Sequence, residues 1–371
     1  MYFFNEPSFF TNHWQKMPWH GKNIFDVQHL QVSPEDLNDF STHPSIDTRL
    51  IVQKGTAFSK SKRMWSSVKE ETKTLFIQDM QIHFPEIFQL QKSFSNYPEW
   101  RTDDVMGSFG TQGASSSPHV DFYDVFIVQV QGKKLWRIEN EKRSFKKCKG
   151  SALIDHPDLH VLKEFFEAEE YLLEPGDVLY VPTRFAHEAI AQTDSFSLSV
   201  GFRAPRIKDI IARIDSKQST FIDEDLRMEE AHIYQNRYEI PSNICQYINN
   251  WPTELASPPE VVGNWFGELV TNSETDPFSF KFGELDQDRV FSAHQKWTWN
   301  PSIKKAFQYL SSDCDSDVIF IHGQNIQVPK EASKNVTKLL SSTSSFSIEA
   351  NDPWMKIFFH YLWLNEIIEE V

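Results

Sequence analysis

SFGTQGASSSPHVDFYDVFIVQVQGKKLWRI, residues 108–138, is the stretch on which the reading of this chain turns. At its centre stands Pro118-His119-Val120-Asp121. Side chains on a β-strand alternate with period two, so His119 and Asp121 share a face and can ligate one metal ion. A third ligand is then required. The best candidate is His187, in a second strand-like segment that opens with Glu174-Pro175-Gly176-Asp177 and runs through Val178 to Val181. Two histidines and one carboxylate around a metal with open positions form the facial triad of non-haem iron(II) oxygenases, which leave room for a cosubstrate and O2. An isolated His-x-Asp also suits a plain hydrogen-bonded loop, so the residues downstream decide.

Tyr123 to Val130 reads as an apolar strand, Gln131-Gly132 as a turn, and Lys133 to Ile138 as the returning strand. Period two sets Lys134, Trp136 and Ile138 on one face. An ammonium group facing a barrel interior needs an anionic partner, because an unpaired buried charge is costly. The dicarboxylate 2-oxoglutarate would supply one. The competing reading puts Lys134 on a solvent-facing edge, beside Lys133, which faces water in either case.

The same residues, with others along the chain, resemble the JmjC-type ribosomal oxygenases, which are iron(II)- and 2-oxoglutarate-dependent protein hydroxylases. The resemblance covers nearly the whole chain and is nearest to the bacterial branch, which hydroxylates an arginine of a large-subunit ribosomal protein. It is carried by His13-Trp-Gln-Lys-Met-Pro18, Ser33-Pro-Glu-Asp-Leu37, Asp47-Thr-Arg-Leu50, Pro98-Glu-Trp-Arg-Thr-Asp-Asp104, Pro118-His-Val-Asp-Phe-Tyr-Asp-Val-Phe126, His156-Pro-Asp-Leu159, Glu174-Pro-Gly-Asp177 and Ser199-Val-Gly-Phe-Arg-Ala-Pro205. It implies that His119, Asp121 and His187 are the iron ligands. It also implies that Lys134 pairs with the distal carboxylate of 2-oxoglutarate. Lys134 is a departure, because the bacterial branch has Arg there and the eukaryotic histidine-hydroxylating relatives have Lys. Arg grips a carboxylate bidentately and Lys acts as a point charge, so the exchange alters geometry more than it abolishes binding. It leaves a histidine target open beside arginine.

Length and composition set the bounds. A chain of 371 residues holds two or three domains, and 40% hydrophobic content with 31 Phe and 11 Trp marks it as globular. Its three cysteines, at 148, 245 and 314, are too few and too scattered for a disulfide framework or a zinc site, which suits a reducing compartment. The opening Met-Tyr-Phe-Phe-Asn-Glu lacks a secretory pattern and no stretch reaches membrane-span length, so the expectation is a cytoplasmic protein. A formal net charge of −15 disfavours nucleic acid and favours a Lys/Arg-rich protein partner.

Four segments follow in order. Residues 1–100 mix helix and loop signals, among them Ser33-Pro34-Glu35-Asp36 as a helix start, and brace the barrel by resemblance. Residues 101–205 form the JmjC barrel, a double-stranded β-helix of the jelly-roll or cupin kind, built from short strands and turns. Its last strand, Ser195 to Val200, puts Ser195, Ser197 and Ser199 on one face, and Ser197 and Ser108 are carried as candidate cosubstrate contacts. Residues 206–266 read as largely helical, with Ile207, Ile210, Ile211 and Ile214 forming an apolar stripe. In the family this segment makes a homodimer. Residues 267–371 carry a hairpin through Gly323 and a last helix started by Asn351-Asp352-Pro353, an order that suits the family's C-terminal winged helix. From Gly267 onward nine Lys and Arg stand against fifteen Asp and Glu, with Asp313, Asp315 and Asp317 clustered before the hairpin, so DNA binding is not expected.

The mixed α and β fold class therefore comes with a specific expectation: an oxygenase that hydroxylates a side chain of a basic ribosomal protein, arginine first and histidine second. A catalytically silent cupin-like binding protein and a demethylase are the alternatives. The remaining histidines lack ligand-like spacing, and the cluster of Lys142, Arg143, Lys146, Lys147 and Lys149 reads as a solvated loop.

Overall fold

The computed structural model describes residues 2–54, 57–61, 64–68, 72–156, 160–214, 225, 227–228, 237–240, 244, 259–272, 291, 295–310, 314–342, 345–347 and 352–371. The chain forms two compact units: Met1–Phe94 with Thr102–Ala204 and Arg227–Ile233, and Ser95–Arg101 with Pro205–Leu226 and Tyr234–Val371.

Among the described residues, eleven strands build the first unit: β1 (Trp19–Gly21), β2 (Thr48–Lys54), β3 (Ala57–Ser61), β4 (Thr72–Ile77), β5 (Thr102–Gly110), β6 (Asp124–Gln131), β7 (Lys134–Glu139), β8 (Ala168–Leu173), β9 (Val178–Val181), β10 (His187–Ala191) and β11 (Ser195–Phe202). They form an eight-stranded sheet ordered β1-β9-β6-β11-β5-β4-β2-β3 and a three-stranded sheet ordered β10-β7-β8. Single bridges from Ser115 to Ile190 and from His119 to His187 extend the smaller sheet by an irregular fourth strand. From β5 onward the chain passes repeatedly between the two sheets, which is the winding of the expected jelly roll. The strands behave as their sequences dictate. In β6 every side chain from Asp124 to Val130 is buried, as a central strand covered on both faces requires. In β7 burial alternates and puts Lys134, Trp136 and Ile138 inward. Gly132, at φ +66°, makes the turn between them; a Cβ there would lie 2.0 Å from the Asp194 carbonyl oxygen.

The first hundred residues are more β-rich than expected, since β1 to β4 all join the large sheet. Thr72–Ile77 carries β-branched residues at alternate positions, but its partner β5 lies about thirty residues on, so local sequence does not announce the pairing. The Ser33 helix start appears as read: Pro34–Thr42 is a helix, and Ser33 and Asp36 complete a reciprocal capping box.

In the second unit, Ile207–Ile214 is helical as expected, with Ile210 and Ile211 buried. Most of the 206–266 segment assigned to dimerisation, together with Asp313, Asn351, His232, His294 and Cys245, lies outside the described residues. Further along, β14 (Ser316–Ile321) and β15 (Gln324–Pro329) form the expected hairpin through Gly323, with β13 (Lys305–Gln308) beside β14; the intervening β12 is Lys296–Trp299. Helices Lys330–Leu340 and Pro353–Leu364 follow, the second capped by Asp352, whose side chain accepts from the Trp354 amide. Their inner faces pack with Trp297, Trp299, Phe307, Ile319 and Ile321 into one core. Asp317 is not part of an acidic surface cluster. It is 1% exposed and accepts hydrogen bonds from Lys330 Nζ, Ser333 Oγ and the Leu310 amide, tying hairpin to helix.

Candidate active site

Between the two sheets of the first unit lies a cavity of about 580 Å³, counted out to its open mouth. β5, β6 and β11 line one side, β7 and β10 the other, and His119, Asp121, Lys134, His187, Ser108 and Ser197 all border it.

His119 and Asp121 do not sit in a regular strand. The stretch from Thr111 to Tyr123 is a loop touching β10 at two points, and Ser117 just before Pro118 is held at φ +60°. Convergence survives the irregularity because His119 is bridged to His187 by two backbone hydrogen bonds of 3.0 Å. One ligand atom from each of His119, Asp121 and His187 lies within 4.8 Å of the others, and His187 Nε2 is 3.5 Å from Asp121 Oδ2. Both imidazoles are oriented by their other nitrogen. His119 Nδ1 lies 2.8 Å from the Ser117 carbonyl oxygen and His187 Nδ1 2.9 Å from that of Phe185. A carbonyl oxygen can only accept, so each Nδ1 carries the proton and each Nε2 presents a lone pair to the cluster.

Electrostatics agree with that chemistry. Burial lowers the His119 pKa and the His187 ring lowers it further, against the pull of Asp121 and the Ser117 carbonyl, so a neutral ligand is favoured. Burial pushes Asp121 up, but the adjoining His187 and His119 rings and the Arg203 guanidinium outweigh it and hold the carboxyl below the ordinary range. A neutral His119 and an ionised Asp121, with the Nε2 lone pair of His187 beside them, suit a divalent first-row metal.

Lys134 is 4% exposed at the other end of the cavity. Its Nζ lies 2.9 Å from Ser197 Oγ and 3.4 Å from both Ser108 Oγ and the Ser108 carbonyl oxygen. The solvent-facing alternative for Lys134 is thereby excluded. All three acceptors are neutral, and burial pulls the Lys134 pKa down to about 7. An anion arriving here would gain a charge-assisted bond and supply the missing countercharge. Ser197 and Ser108, the two serines singled out from sequence, both border the cavity; Ser199 borders it too, while Ser195 is buried and is not among its lining residues.

Two residues that sequence reasoning left without a role stand nearby. Tyr123 lines the cavity, its hydroxyl pushed well above its usual pKa by burial and by Asp121 and Asp104. Asp104 is two residues before the cavity-lining Met106 on β5, hence on the same face. Its carboxyl is raised to about 7 by burial and by Asp103 and Asp79, against Arg203. The available signal was the period-two series Asp104, Met106, Ser108, Gly110.

Comparison with known proteins places this architecture. Residues 89–210 match the JmjC domain family. The Escherichia coli (strain K12) protein named ribosomal protein uL16 3-hydroxylase is 31% identical over 281 residues, covering 72% of each chain. A Haemophilus influenzae protein named probable ribosomal oxygenase is 29% identical over 248 residues, covering 64% of this chain and 57% of that one. Among solved structures, that of E. coli YcfD superposes with a TM-score of 0.72 at 24% identity, covering 98% of both chains. A second, described as YcfD in complex with cobalt and 2-oxoglutarate, gives a TM-score of 0.70 at 23% identity over 98% of this chain and 97% of that one. At these identities the superpositions show the fold, and the alignment to the hydroxylase, long and above 30% identity, shows the kinship: this chain belongs to the JmjC-domain ribosomal oxygenases.

Proposed function

We infer that this protein is an iron(II)- and 2-oxoglutarate-dependent oxygenase that hydroxylates a side chain, arginine in the first instance, of a basic large-subunit ribosomal protein. The observation that carries the reading is the joint occupancy of one cavity by the His119, Asp121, His187 cluster and a buried lysine that lacks a carboxylate partner among the described residues. A metal site alone would suit many chemistries. A metal site facing a buried cation suits a ligand that chelates at one end and carries a carboxylate at the other, as 2-oxoglutarate does.

In this mechanism His119, Asp121 and His187 hold the metal, and Lys134, Ser197 and Ser108 hold the distal carboxylate. When bound, iron(II) and 2-oxoglutarate would supply O2-dependent oxidative decarboxylation to succinate and CO2 coupled to conversion of a substrate C–H to C–OH. The chain's residues orient the partners. Lys134 fixes the depth of the cosubstrate, while Trp136 and the apolar side chains of Val125 and Ile127 shield the walls from water. Asp104, close enough to influence the cavity-lining Tyr123, supports a cationic substrate side chain, since its ionisation is costly until a positive group arrives. That favours arginine over a neutral histidine. The homodimer and the four-segment division at 100, 205 and 266 belong to the same reading; sedimentation of the purified chain checks the first.

The test compares intact masses of ribosomal proteins from cells with and without this protein, then locates any +16 Da shift by fragmentation. A shift on arginine supports the whole reading and one on histidine moves the target. Loss of a methyl group instead would mean demethylation, and absence of succinate formation with every basic substrate would leave a silent binding protein.

A further inference from the structure

Three residues past Asp121 a second aspartate, Asp124, is fully buried at 0% exposure. It touches neither the cavity nor the cluster, and nothing above gives it a role. A carboxylate in such a place is tolerated only when donors surround it. Here Oδ1 accepts from Tyr180 Oη at 2.7 Å and from the Thr183 amide at 3.3 Å, and Oδ2 accepts from Gln15 Nε2 at 3.0 Å. The Gln15 amide in turn donates to Tyr180 Oη at 2.8 Å, so the acceptors and donors close on themselves.

The Thr183 bond matters because of where that residue stands. Residues 182–186 join β9 to the strand that opens with His187. The turn is awkward: Arg184 has φ +64°, in the left-handed region that a residue with a Cβ rarely enters. Two acceptors hold it from the Asp121 side. The Asp121 carbonyl oxygen accepts from the Arg184 amide at 2.9 Å, and Asp124 Oδ1 accepts from Thr183. The turn then delivers the Phe185 carbonyl to His187 Nδ1, which sets the ring's orientation. An unbroken path of hydrogen bonds and short backbone therefore runs from Asp124 through Thr183 and Phe185 to the imidazole.

We propose that Asp124 is a positioning residue, which locks the 182–186 turn and so holds the His187 imidazole in register with Asp121. The proposal depends on the metal reading above. In metal enzymes, outer partners that orient a ligand typically alter metal affinity by about 10- to 100-fold when removed. Asp124→Leu removes both acceptor oxygens at similar volume and should weaken Co(II) binding by that factor, with a changed Co(II) absorption spectrum. Asp124→Asn keeps an oxygen for Tyr180 and Thr183 and should restore affinity to within about threefold of wild type. Gln15→Ala removes the Nε2 donor to Oδ2 and leaves the Thr183 contact on Oδ1 in place. It should lower the melting temperature of the metal-free protein yet leave Co(II) affinity within about threefold, which a merely structural role for the network would not allow. Wild-type affinity and spectrum in Asp124→Leu, or a loss of affinity in Gln15→Ala as large as in Asp124→Leu, overturns the proposal while leaving the oxygenase reading intact. Absence of Co(II) binding by the wild-type chain refutes that reading first. Should Asp124→Leu not fold, amide exchange decides: slow exchange at Thr183 in the metal-free wild type is expected, and fast exchange there overturns the lock.

Discussion

Raising the pH from 6 to 8 should weaken 2-oxoglutarate binding by the metal-loaded enzyme about tenfold, and the cause is Lys134. Burial brings its pKa to about 7, and among the described residues the ammonium group's hydrogen-bond acceptors are the Ser197 and Ser108 oxygens. A group titrating there is charged in about 90% of molecules at pH 6 and in about 10% at pH 8. If only the charged form grips the distal carboxylate, the apparent dissociation constant scales as one plus ten to the power of pH minus pKa. The ratio between the two conditions is then about 10, or ~1.4 kcal/mol. At pH 8 each binding event should take up close to one proton, and at pH 6 almost none. Calorimetry with Mn(II) or Zn(II) in place of iron, under nitrogen and in buffers of different ionisation enthalpy, reads affinity and proton uptake together. Lys134→Arg should abolish both trends, because a guanidinium stays charged throughout. A flat affinity and no proton uptake in the wild type would refute the argument, since Lys134 would then be charged before the ligand arrives. The effect on folding has its own sign. The unfolded chain holds this proton up to its ordinary pKa and the folded one releases it near 7, so Lys134 makes the metal-free protein more stable as pH rises from about 7 toward 10.5.

Other perturbations test other parts of the site. His187→Ala should abolish Fe(II) binding in equilibrium dialysis while circular dichroism stays native; retained iron would mean that the third ligand is misassigned. Ser197→Ala removes the 2.9 Å acceptor of Lys134 and should raise the half-saturating 2-oxoglutarate concentration by about three- to tenfold with metal affinity unchanged, measured by succinate release. Asp104→Asn should raise the KM for a basic substrate peptide, and its stability change has a definite direction. Because the Asp104 pKa is raised to about 7 from 3.8, the folded state loses stability as pH climbs through that window, so the variant should gain about 1 to 3 kcal/mol over wild type in urea unfolding at pH 8 and nothing at pH 4. A gain that does not depend on pH would place the effect in packing instead. In the second unit, Asp317→Ala leaves Lys330 and Ser333 without their shared acceptor and should cost that unit about 2 to 4 kcal/mol, read as an earlier urea transition with cavity binding intact.

What was legible in the sequence is what local rules determine. Period two put Lys134, Trp136 and Ile138 on one face, and the structure turns that face inward: opposite them on β10 stand Ala191, Ala189 and His187. A histidine sixty-eight residues from His119 could be chosen because it comes one short turn after a strand whose own turn signal, Glu174 to Asp177, was plain. The expectation that His119 and Asp121 lie on a strand failed in detail, because the stretch holding the Ser-Ser-Ser-Pro run keeps only isolated bridges to β10, at Ser115 and at His119. What preserves the site is the backbone pairing to His187 and the carbonyls that orient both rings, none of which side-chain spacing reveals. Asp104 and Asp124 mark the limit from opposite sides. Both were quoted within motifs, yet a carboxylate's role depends on what surrounds it in space. Asp104 lies among other acids and takes up charge reluctantly, whereas Asp124 lies among donors drawn from residues 15, 180 and 183. No window of sequence contains Gln15, Tyr180 and Thr183 together, so only the folded chain separates the aspartate set beside other acids from the one set among these donors.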